Sequence, residues 1–182
     1  MALPSTIYRA NIQLSDIDRG VYETLQTTVA RHPSETEERL VARLLAFSLF
    51  YEEQLLFTKG VSAGDEPDLW AKGPDDRVLL WIEVGLPDAE RVIKAGRHAT
   101  RIILIASGKA LLNWEQQQLP KLKSVANLAV ITFDQTFIAA LVTKLDRSIN
   151  WSITITDGNL YLNVGTETFE TMIQERVGSR RE

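Results

Sequence analysis

The sequence predicts an α/β (α+β) fold: a mixed central β-sheet flanked by helices, with antiparallel strands from both termini added at one end. Three observations predict it. Apolar strand-like runs alternate with helical patterns between residues 76 and 145, as strand-helix-strand crossovers require. EPDLWAK and RVLLWIEV flank Gly73-Pro74-Asp75-Asp76 and read as a hairpin. SINWSITIT and NLYLNVG flank Asp157-Gly158, the dipeptide of a two-residue type I′ turn.

Residues 5–15, STIYRANIQLS, alternate apolar and polar as a half-buried antiparallel strand does, with room for a bulge near Ala10-Asn11. Asp16 or Asp18 then caps a helix running to about Ala30. Ser34 with Glu37 three residues on makes a capping box, which starts a second helix through about Tyr51. Leu40, Val41, Leu44, Leu45, Phe47 and Leu49 mark it as a core helix. LLFTK is a short strand ahead of the first hairpin. Asp88 begins a helix to about Ala99, and RIILIAS is a buried strand of parallel type. Helix 109–119, strand 126–133 and helix 135–145 continue the alternation. Segment 167–177 reads as helical or frayed. No repeat or linker interrupts the pattern, so 1–182 is expected to form a single domain.

Composition narrows the chemistry. Twenty basic and 24 acidic residues give a net charge of −4 with no long run of one sign, which does not announce a nucleic-acid binder but leaves room for a local basic patch. The absence of cysteine excludes disulfides, thiolate metal sites and a Cys nucleophile. His32 and His98 have no zinc-binding spacing, and there is no G-x-S-x-G elbow. Ser107-Gly108-Lys109 lacks the upstream glycine of a phosphate loop and reads as helix capping. No signal pattern opens the chain and no apolar stretch spans a bilayer, so a cytoplasmic protein without a membrane partner is expected.

One residue breaks the apolar strand 78–85. Burying the carboxylate of Glu83 costs several kcal/mol unless a cation, a metal or hydrogen-bond donors meet it. If the hairpin loop is 73–76, Lys72 opposes Arg77 and Asp68 opposes Trp81, which places Asp68 and Glu83 diagonally on one face. Diagonal partners lie roughly 7–8 Å apart at Cα, close enough for two carboxylates to share a divalent ion, Mg or Mn. Two other readings stand beside this: Glu83 pairs with a buried arginine such as Arg43, and Asp68, following Pro67, caps a turn. Trp70 and Trp81 read as core.

Pro67-Asp68 on one strand and Glu83-Val84 on the next resemble the PD-(D/E)XK nuclease superfamily, except that Gly85 stands where that motif has its lysine. The chain from MALPSTIYRA through RHPSETEERL, GDEPDLW and LWIEVGLPDAERVIKA to the Asp157-Gly158 hairpin resembles the YaeQ family over nearly its full length. That resemblance implies a restriction-endonuclease-like core with a variant motif. The nuclease resemblance implies Asp68 and Glu83 as metal ligands, and Glu38, facing inward on the stripe of Val41, Leu45 and Ser48, beside the metal. Lys94, on the helix after the Glu83 strand, takes the role of the migrated lysine in the space beside Gly85. The bland alternatives are a Lys94–Glu90 surface pair, neutralisation of Glu38 by Arg31 or Arg39, and a solvated helix face for Arg91 and His98. Two functions follow as expectations: a Mg-dependent phosphodiesterase, or a non-catalytic protein of the same fold that binds nucleic acid or a protein partner.

Overall fold

A computed structural model of the chain describes residues 3–59 and 64–181. In chain order its elements are β1 (Thr6–Asp16), β2 (Val21–Arg31), α1 (Glu37–Leu49), β3 (Leu56–Phe57), β4 (Leu69–Lys72), β5 (Val78–Gly85), α2 (Ala89–Ala95), β6 (Ala99–Ala106), α3 (Leu111–Gln117), α4 (Leu119–Leu122), β7 (Leu128–Thr132), α5 (Gln135–Val142), β8 (Ser148–Thr156), β9 (Asn159–Val164), β10 (Glu167–Met172) and β11 (Gln174–Val177). The strands form two sheets, β10-β9-β8-β1-β2 and β11-β7-β6-β5-β4-β3. The chain divides into two compact units, Met1–Leu49 with Phe133–Gln174, and Phe50–Thr132 with Glu175–Glu182.

In the first unit, β1 buries Tyr8, Ala10, Ile12 and Leu14 and exposes Arg9, Asn11 and Gln13, the alternation of a strand with one wet face. Its pairing with β2 is antiparallel and unbroken from Thr6↔Arg31 to Asp16↔Val21, so no bulge forms at Ala10-Asn11. The helix expected over 16–30 is therefore β2. Leu25 and Val29 are spaced as a helical stripe, but they pair with Ile12 and Tyr8, and Val21, Thr24, Thr27, Thr28 and Val29 are β-branched. Neither aspartate caps a helix. Asp16 accepts the Arg19 N–H, and Asp18 accepts the N–H groups of Asp157 and Gly158. On its other edge β1 runs parallel to β8, with Ile12 beside Trp151 and Leu14 beside Ile153. The β8–β9 turn has φ 51° at Asp157 and 74° at Gly158, as a type I′ turn demands.

Helix α1 buries every residue from Leu40 to Leu49. Its cap is Thr36, whose Oγ1 accepts the Arg39 N–H, while Ser34 forms a separate turn with His32. Asp134 caps α5 through the Thr136 N–H, and that bond holds its carboxyl below the usual carboxylate range. Segment 167–177 is extended, as β10 and β11.

In the second unit β5, β6 and β7 are parallel neighbours joined through α2 and through α3 with α4. Ile102–Ala106 and Leu128–Thr132 are buried throughout, the continuous burial of central parallel strands. Ala89, Val92 and Ala95 of α2 pack with Trp114 and Leu122 onto this sheet. Strand β4 adds antiparallel to β5, and β3 adds to β4.

Candidate functional site

The β4–β5 hairpin sets the positions of both motif carboxylates, and its register differs from the one counted from the turn. Lys72 pairs with Val78 in place of Arg77, and a one-residue shift between Ala71 and Lys72 then sets Trp70 against Trp81 and Leu69 against Ile82, two residues from the counted register. Asp68 therefore does not oppose Trp81. It lies beside Ile82–Val84, where its N–H donates to the Ile82 carbonyl at 2.9 Å and its Oδ2 accepts the Val84 N–H at 2.7 Å. A backbone N–H of a strand points along the sheet, so the oxygen that receives it lies in the plane of hydrogen bonding. Asp68 thus extends the ladder past the end of β4. Its own carbonyl accepts the Thr58 N–H at 3.0 Å, which ties in the chain after β3.

Glu83 leaves β5 on the same side as Trp81, two residues before it, and its side chain is 8% exposed. Its charge is met by protein donors. Oε1 accepts Trp81 Nε1 at 3.1 Å and Arg91 Nε at 3.0 Å, and Arg91 Nη2 lies 2.8 Å from the same oxygen. The arginine partner that burial demands is thus Arg91 on α2. Arg43, the partner weighed from sequence, binds Glu35 in the first unit at 3.0 Å. Arg91 also donates to the Gly64 and Glu66 carbonyls, at 2.6 and 3.1 Å, and so anchors the approach to Asp68.

The space expected for the migrated lysine is open. A Cβ built on Gly85 meets nothing within 4 Å, so no lysine side chain occupies the space beside it. Gly85 also has φ 126°, a backbone conformation that a lysine side chain rarely adopts. Lys94 is exposed and pairs with neither Glu90 nor a motif carboxylate. It lines a cleft of about 380 Å³ with Gly64, Asp65, Trp81, Arg91, Ala95 and His98. The same reach that pointed to Lys94 favours Arg91 more strongly, since three residues earlier is about 4.5 Å nearer the strand. Its placement on a solvated helix face hid that signal.

Glu38 does not face inward. It is exposed in the first turn of α1, in the first unit, whereas Asp68, Glu83 and Lys94 belong to the second. The buried acid at that helix start is Glu35, held by Arg43 and by Arg39 at 2.9 Å. The helix begins at Glu37 under Thr36, which turns Glu38 outward and tucks Glu35 beneath the first turn.

Protein donors already meet one oxygen of each motif carboxylate. Glu83 Oε1 and Asp68 Oδ2 accept N–H groups, whereas a ligated cation needs those lone pairs. Among the described residues no group of three His, Cys, Asp or Glu side chains has metal-holding geometry.

The family model described as YaeQ protein matches residues 1–173. "Uncharacterized protein YaeQ" of Salmonella typhi is 40% identical over 174 residues, covering 95% of this chain and 96% of that protein. Its namesake in Escherichia coli (strain K12) is 40% identical over 164 residues, 90% of this chain and 91% of that one. Crystal structures of YaeQ proteins superpose along the whole chain. The Pseudomonas syringae protein gives a TM-score of 0.93 at 42% identity, with 98% of this chain and 99% of that one covered. The Xanthomonas axonopodis pv. citri protein gives 0.91 at 36% identity, with 96% and 99% covered.

Proposed function

Since the chain belongs to the YaeQ family, we propose that it is a non-catalytic protein on a nuclease-like scaffold that binds single-stranded nucleic acid in the cleft between β5 and α2. One observation carries this reading: half-buried Trp81 lines an open cleft with Lys94, His98 and the Glu83-paired Arg91, alongside a single acidic residue, Asp65. Basic side chains track a phosphate backbone while an aromatic surface stacks bases, and that combination tolerates any sequence. The chemistry of cleavage is missing its parts: Glu83 is neutralised by Arg91, Asp68 serves the backbone, and Gly85 replaces the motif lysine.

The test is titration of the intact protein with a fluorescent oligothymidylate at low salt, followed by the Lys94→Glu variant. Wild-type binding that weakens with salt, and weakens roughly tenfold in the variant, is the expected result, given the electrostatic share of such complexes. Binding that ignores Lys94→Glu, or no binding at low salt, overturns the proposal.

A second reading, the metal-dependent phosphodiesterase with Mg or Mn at Asp68 and Glu83, is favoured by Lys94, a lysine without an ion pair among the described residues that lines the same cleft as Arg91. Manganese-dependent cleavage of mixed DNA and RNA substrates that vanishes in Glu83→Gln would replace the first reading with this one.

A further inference from the structure

We infer that β2 is a self-association edge, and that a second copy of this chain pairs with it antiparallel about a two-fold axis through Thr27. Strand β2 is hydrogen-bonded to β1 on one side and ends the first unit's sheet on the other. Eleven residues of regular edge are unusually long to leave open, since an unpaired row of N–H and C=O groups templates another strand. Two common defences are absent, although near the end of the edge the Ala30 carbonyl already accepts Arg43 Nη1 at 3.2 Å. Val21–Arg31 contains no proline and no lysine, and its register with β1 has no bulge.

The occupant follows from the order of side chains. An isologous edge pair opposes each residue i with a residue j of the partner and keeps both on the same face, so i + j must be even. An axis through Thr27 opposes Glu23 with the partner copy's Arg31, and Leu25 with its Val29. Both pairs occur twice. The neighbouring register, about Gln26, sets Glu23 against Val29 and Val21 against Arg31, which wastes both charges. Only the first is self-complementary, and it keeps Leu25 and Val29, both buried, in one apolar row. Arg31 supplies a separate sign of incompleteness. Its guanidinium donates to the Glu35 carbonyl at 2.8 Å, while its buried Nε–H has no acceptor. Glu23 is exposed and free to reach across the edge.

Edge pairing buries a small interface, so association is expected to depend on concentration. Sedimentation equilibrium of the full chain should show a reversible monomer–dimer equilibrium. Glu23→Arg sets arginine against arginine twice and should weaken it about tenfold or more. Thr27→Lys places two ammonium groups together on the axis and should do the same. Mixing Glu23→Arg with Arg31→Glu restores both opposite-charge pairs and should yield the mixed dimer. If Arg31→Glu fails to fold, the first two variants decide the matter, with circular dichroism confirming that each is native. A wild-type chain that stays monomeric at every concentration, or a dimer indifferent to Glu23→Arg and Thr27→Lys, overturns the inference.

Discussion

Removing Arg91 strands a carboxylate that the fold has taken out of water. The Glu83 side chain is 8% exposed and Arg91 40%, so solvent screens the attraction from one side only. The loss should resemble that of charge-assisted hydrogen bonds, roughly 1.5–3 kcal/mol, and fall short of the 3–5 kcal/mol of a fully buried pair. Arg91→Met is therefore expected to lower stability by about 2 kcal/mol in urea unfolding. Glu83→Gln, which keeps an oxygen for Trp81 Nε1, should cost less than half of that. Gly85 offers a second test. Restoring the motif lysine with Gly85→Lys meets no atoms but forces a side chain onto φ 126°, at a cost of roughly 1–3 kcal/mol. No cleavage activity should appear with it, since Arg91 still holds Glu83. Sequence alone exposed the cost of burying Glu83 and named an arginine among the remedies, yet it could not choose the arginine. That choice depends on where α2 starts relative to the end of β5, a packing distance with no local signature.

Elements whose side chains repeat with a clear period were legible. The β5–α2–β6 unit, the two hairpins and the buried face of α1 all appear near their expected bounds. Strand β2 was not, because Leu25 and Val29 satisfy a helical spacing and a strand spacing at once, and only pairing with β1 decides between them. The two-residue slide of β4 was hidden for a similar reason, since neither the pairing of Lys72 with Val78 nor the one-residue shift at Ala71-Lys72 leaves a trace in residue type. Strands β10 and β11 lie in a polar tail whose order comes from tertiary contacts. For β11 the critical contact is Gly178, just past its end, where a Cβ would sit 2.3 Å from the Leu128 carbonyl oxygen at φ 62°. Gly178→Ala should thus release β11 from β7. Hydrogen exchange is expected to show lost protection at Gln174–Val177 while β5 and β6 remain protected; unchanged protection there would refute the close approach.

At the scale of the molecule, the alternation of strands and helices revealed the parallel sheet but not the division into two units, because each unit draws on chain segments far apart in sequence. The parallel pairing of β1 with β8 joins residues 9–16 to residues 148–155. Such a pairing has a consequence for the order in which the protein is made. After Arg31 is added to the nascent chain, another 117 residues must be synthesised before Ser148 exists, roughly 6–25 s at cellular elongation rates. For that interval the β1–β2 hairpin is a two-stranded ribbon, which is marginally stable by itself in water. The strands β5, β6 and β7 meanwhile emerge in the order in which they pair. The segment translated first is consequently among the last to become ordered, and its apolar face, Tyr8, Ile12 and Leu14, is what a nascent-chain chaperone would meet.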